Sequence, residues 1–70
     1  MKLEPTDKPF YTDDEKLKAV EREIKLRKRV YPGRVFTKRM SKENAAREIG
    51  IMQAIAEDYR RRLASSQLPF

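Results

Sequence analysis

From Lys25 through Lys42 the chain carries eight basic residues, Lys25, Arg27, Lys28, Arg29, Arg34, Lys38, Arg39 and Lys42, and no acidic one. Cations grouped without counter-charges attract phosphates or carboxylates, and binding through several phosphates is strongly salt-dependent. The competing reading is a solubilising surface that keeps a small protein apart from its neighbours. Other chemistry has fewer materials. The chain has no histidine or cysteine to act as base, nucleophile or soft metal ligand. The acid pairs Asp13-Asp14 and Glu57-Asp58 fall on helix positions expected to face water, and the only glycines, Gly33 and Gly50, build no phosphate-cradling loop. We therefore expect no enzymatic activity, no catalytic residue, and no metal or cofactor.

The elements that must position these cations follow from the hydrophobic spacing. Pro5 and Pro9 bias their predecessors away from helix, so residues 1–11 read as an extended arm, with Phe10 and Tyr11 folded against the first helix. Thr12 and Glu15 match a capping box, and the acids after Thr12 suit the positive end of a helix dipole. A first helix is expected over about 12–31, stopped by Pro32-Gly33. Its main stripe is Leu17, Val20, Ile24 and Tyr31, while Ala19, Leu26 and Val30 form a second stripe roughly 120–140° away.

Val35, Phe36 and Met40 are expected to fold over the connection. Ser41 suits an N-cap, with Met40 and Ala45 as its hydrophobic staple, for a second helix over about 41–64. Along it, Ala45, Ile49, Met52, Ala56, Tyr59 and Leu63 keep coiled-coil spacing, and Ile51 and Ile55 widen the face. Tyr59 is expected to put its hydroxyl at the bundle edge. Residues 65–70 form a tail.

Seventy residues make one small domain. At this size one core rarely supplies more than about 3–5 kcal/mol, and small folds add disulfides, metals or oligomerisation. Without cysteine or histidine, oligomerisation or a large partner remains. Each helix also shows a face too wide for its mate. The expectation is therefore an all-α antiparallel two-helix hairpin, paired as a homodimeric four-helix bundle through Leu26, Val30, Ile51 and Ile55.

A hairpin gathers the basic run at one end. We take Lys25, Lys28, Arg29, Arg34, Lys38, Arg39 and Lys42 as a macromolecule-binding tip. Arg60-Arg61-Arg62 should lie near Asp13, Asp14 and Glu15 at the other end and pair across helices, a structural role. Arg27 interrupts the main stripe. It is expected to pack its stem and reach water with its head, the alternative being a register-setting pair with Glu48 or Asp58. No stretch is apolar enough to span a membrane, and the N-terminus lacks a signal-peptide core.

Three resemblances add to this reading. The run Val20-Glu21-Arg22-Glu23-Ile24, Arg27 to Pro32, Arg39-Met40, Ala46 to Ile49 and Met52 to Arg60 resembles a group of small proteins encoded by bacteriophages and prophages. That implies an accessory protein in the cytoplasm of a bacterial host, gripping a host or phage protein, or nucleic acid. Residues 44–62 resemble a DNA-binding helix-turn-helix. Ala46 stands in the first helix, Gly50 at the turn, and Ala45, Ile49, Ile51, Ala56 and Tyr59 in the core, so Met52, Gln53 and Glu57 would face the major groove. Met52 departs from the usual small polar residue, Ala56 from a bulky apolar one, and the acids Glu57-Asp58 would repel phosphate. One continuous helix explains the seam better. Gln67-Leu68-Pro69-Phe70 is similar to tails that dock bacterial sliding clamps, although one residue short, and a frayed terminus is the plainer reading.

Overall fold

A computed structural model describes residues 10–66. Among these, two α-helices, α1 (Asp13–Phe36) and α2 (Lys42–Ser66), pack antiparallel, with no strand. The start of α1 is local chemistry. The Glu15 N–H donates to Thr12 Oγ1 at 3.1 Å, and the Thr12 N–H donates back to Glu15 Oε1 at 2.9 Å. Two donors that a helix start leaves orphaned are thereby satisfied. Ser41 Oγ accepts the Asn44 N–H at 3.0 Å and satisfies one such donor at the start of α2.

The expected stop at Pro32-Gly33 does not occur, and neither does the turn at Gly50 that a helix-turn-helix would need. Pro32-Gly33 lies inside α1, which continues to Phe36. Proline removes the N–H that would bond the carbonyl four residues back, yet its ring points to solvent and the apolar seam continues across it. Tyr31 and Val35 are both half-buried, so tertiary packing holds the last turn. Two residues past the end of α1 the chain turns away instead at Lys38, whose φ of 62° is left-handed. The Lys38 N–H donates to the Val35 carbonyl at 3.0 Å and the Arg39 N–H to the Arg34 carbonyl at 2.8 Å, a Schellman closure. α2 likewise runs unbroken through Gly50, so residues 44–62 contain no helix-turn-helix turn. Without that turn, Met52, Gln53 and Glu57 are not set on a separate recognition helix.

Both glycines are therefore ordinary helical positions, and a Cβ on either meets nothing within 4 Å. Gly33→Ala and Gly50→Ala should each stabilise the protein by about 0.5–1 kcal/mol, because alanine has less backbone freedom to lose. Thermal melts check this. A fall in melting temperature for either variant would mean a turn at that glycine.

The seam is narrow. Among the described residues only Ile24, Ala45 and Ala56 are buried, while Leu17, Val20, Ile49, Met52, Tyr59 and Leu63 are half-buried. Ala56, at 0% exposure, marks close approach of the helices. Leu26, Ile51 and Ile55 stand exposed and Val30 half-buried, so folding in one chain leaves this set uncovered. Phe10 and Tyr11 are exposed rather than folded against α1. Phe36 belongs to α1 and is 86% exposed, so it does not close over the connection. The rest of the arm and the tail motif Gln67 to Phe70 lie outside the described residues. No described helix is long and apolar enough to cross a membrane.

Candidate functional site

The longer α1 rearranges the basic run. At 1.5 Å per residue, Lys25 sits about 17 Å before the end of α1 and Lys28 about 12 Å before it. The expected compact tip is therefore a band. Lys38, Arg39 and Lys42 gather around the connection. Lys28 and Lys42 flank one side of the hairpin, and Lys25 and Arg29 lie on the outer side of α1. The Arg34 guanidinium lies 5.6 Å from the centre of the Tyr31 ring, within cation–π range.

All seven are exposed, and none forms an ion pair with another described residue. The other arginines behave differently. Arg62 pairs with Asp13 at 3.3 Å, Arg60 with Glu21 at 3.2 Å, and Arg61 with Glu57 and Asp58 along its own helix. The expected pairing with the acidic start of α1 thus holds for Arg62 alone. Asp14 instead pairs with Lys18, and Glu15 serves the cap. The hydrogen bond to Asp13 holds the Arg62 guanidinium above its ordinary pKa.

Arg27 bridges the two helices. Its Nε donates to Glu23 Oε2 at 2.8 Å, while Nη1 donates to the Glu48 carbonyl at 3.1 Å and lies 3.5 Å from Glu48 Oε1. The Glu23 hydrogen bond is the main reason its pKa is raised. A charge reaching across the seam into the α2 backbone ties one level of α1 to one level of α2, the role that the simpler expectation assigned to water.

The hairpin has two unlike broad faces. At 100° per residue, Val30 on α1 and Ile51 and Ile55 on α2 fall on the side of the seam that Arg27 occupies, while Leu26 lies farther round, on the outer side of α1 with Lys25 and Arg29. The opposite face holds an apolar groove near the connection, with a volume of roughly 580 Å³, walled by Tyr31, Pro32, Val35, Phe36, Ala46 and Ile49. Sequence reading missed this groove because it ended the first helix at Tyr31. Carrying the 3.6-residue period past Pro32 would have set Val35 on the seam and Phe36 beside it.

Lys38 is a costly residue for its position. A non-glycine in the left-handed region costs roughly 1 kcal/mol, and glycine is the usual residue there. Lys38→Gly should raise stability by about 0.5–1 kcal/mol while removing one cation from the connection. A melt together with an anion-binding titration checks both effects.

Among the described residues no three acidic side chains converge as a metal site. Comparison with family models, with curated proteins and with solved structures finds no match for this chain.

Proposed function

We propose that the chain is a non-enzymatic, phage-type accessory protein. It homodimerises through Leu26, Val30, Ile51 and Ile55 and binds a host or phage macromolecule through its basic band in the cytoplasm of a bacterial host. The carrying observation is a division of labour among side chains. The acids are largely consumed in ion pairs and caps, whereas the cations from Lys28 to Lys42 and the apolar residues on both broad faces are left over. Unspent charge beside unspent apolar surface suits binding better than solubility alone, since solubility needs no apolar groove.

The test is a pair of measurements. Size exclusion with light scattering should give a mass near twice 8.3 kDa. Titration of a labelled duplex oligonucleotide at two salt concentrations then asks whether the band takes phosphates. Retardation at low salt that weakens steeply as salt is raised is the expected signature of phosphate contacts by the band, whereas no retardation even at low salt removes nucleic acid and leaves a protein as the macromolecule.

A further inference from the structure

We propose that the groove between the end of α1 and the start of α2 docks an acidic amphipathic helical segment of a foreign protein. Its apolar side chains would lie against Phe36 and Ile49, and its carboxylates on Lys28 and Lys42. This rests on the macromolecule-binding reading and names its partner class.

The shape comes first. A space of roughly 580 Å³ is in the range of small-molecule sites, but it is open along its length rather than enclosed. A trough walled by two helices fits a third helix, which presents large apolar side chains three and four residues apart. Phe36, 86% exposed at the rim, is the natural anchor. The α1 wall presents the Tyr31, Val35 and Phe36 side chains and the Pro32 ring, so it asks for apolar contact.

Charge then selects the partner. Lys28 lies on the α1 wall and Lys42 on the α2 wall, with Lys38 and Arg39 outside the groove at the connection. No acid occurs between Lys25 and Lys42. Lys42 even stands in the first turn of α2, where the helix dipole disfavours a cation. A carboxylate-bearing partner relieves that arrangement.

Among the described residues a second copy is a poor source of those carboxylates. Asp13 is held by Arg62, Asp14 by Lys18, Glu21 by Arg60, and Glu23 and Glu48 by Arg27. Glu15 is in the capping box, and Glu57 and Asp58 engage Arg60 and Arg61. Of the described acids, Glu43 alone has no such role. Nucleic acid would find one uncovered ring, Phe36, since Tyr31 already carries the Arg27 and Arg34 guanidinia at 5.9 and 5.6 Å from its ring centre, whereas single strands are bound by stacking successive bases on several aromatics.

A phage-displayed library of random peptides, selected on the full chain, tests this. Recovered clones should be acidic, with two large apolar residues three or four positions apart. Anisotropy titrations of the recovered peptides should weaken by about tenfold with Phe36→Ser, an exposed anchor whose loss leaves the fold intact. Ala46→Glu, also at an exposed helical position, should block the groove by bulk and charge. Lys28→Glu with Lys42→Glu should weaken binding by at least about tenfold. Circular dichroism confirms that each variant is folded.

The inference is overturned if selection yields nothing above background, or if the clones are basic or neutral. Indifference of binding to Phe36→Ser and Ala46→Glu overturns it too. So does an oligonucleotide that competes for the groove and is itself lost in Phe36→Ser, or a groove variant that halves the mass in solution and so hands the groove to a second copy. If the wild-type chain is monomeric yet binds such peptides, the assembly reading fails and the groove stands. If it is dimeric and selection fails, the groove alone is lost.

Discussion

A chain carrying Leu26→Glu together with Ile51→Glu is expected to lose most of its helical circular dichroism at micromolar concentration. The size of the effect discriminates between accounts. Each side chain is 43% exposed in the single hairpin, and substitutions at such positions ordinarily change stability by within about 0.5 kcal/mol. If the hairpin were self-sufficient, the double variant would melt almost like the parent. If instead these residues are covered by a second chain, the symmetric assembly buries four new carboxylates. Burying unpaired charge costs several kcal/mol, comparable to everything a fold of this size has. Dissociation then exposes hairpins that are not stable alone, and helix is lost with it. A melt within a few degrees of the parent, at unchanged mass, would remove Leu26 and Ile51 from any interface.

Ile24→Ala should have the second large effect. Ile24 is the one large side chain in the buried set, the others being Ala45 and Ala56. Truncating a buried isoleucine to alanine costs about 2–5 kcal/mol, depending on how far the site collapses. Against a total of roughly 3–5 kcal/mol for a small domain, that change should leave a largely unfolded chain at room temperature. Ala56→Leu should act at the same seam by the opposite route. Ala56 has no exposed surface, so added methylenes push α1 and α2 apart at a cost of about 1–3 kcal/mol. Urea denaturation followed by circular dichroism measures both. A variant at either site that retains the parent midpoint would mean that the helices are held by something other than their shared seam.

How much of this was legible depended on whether the signal was local. The Thr12 and Glu15 box and the Ser41 cap are written in adjacent residues, and both form as read. The 4-3-4-3-4 seam of α2 was legible for the same reason, and it correctly outweighed the glycine at Gly50. The end of α1 was not legible. Pro32-Gly33 is a strong local stop, yet half-burial of Tyr31 and Val35 against α2 overrides it, and that contact exists only once the hairpin has formed. Lys38 as the left-handed residue follows from where the chain must reverse and not from lysine itself. Arg27 shows the same limit. Its stripe position was clear, but choosing Glu48 over water needed the register of two helices, and Asp58 engages Arg61 instead. The apolar groove depends on the first of these, the end of α1. It comes into view only when the last turn of α1 is restored beside the first turns of α2.

Stability and assembly can be read on one set of samples. Sedimentation equilibrium over a hundredfold range of concentration, with circular dichroism on each sample, puts the question directly. We expect a mass near twice 8.3 kDa wherever the chain is helical, with dissociation and loss of helix occurring together on dilution. A single chain of 8.3 kDa that stays fully helical, with a melting temperature independent of concentration, would contradict the account.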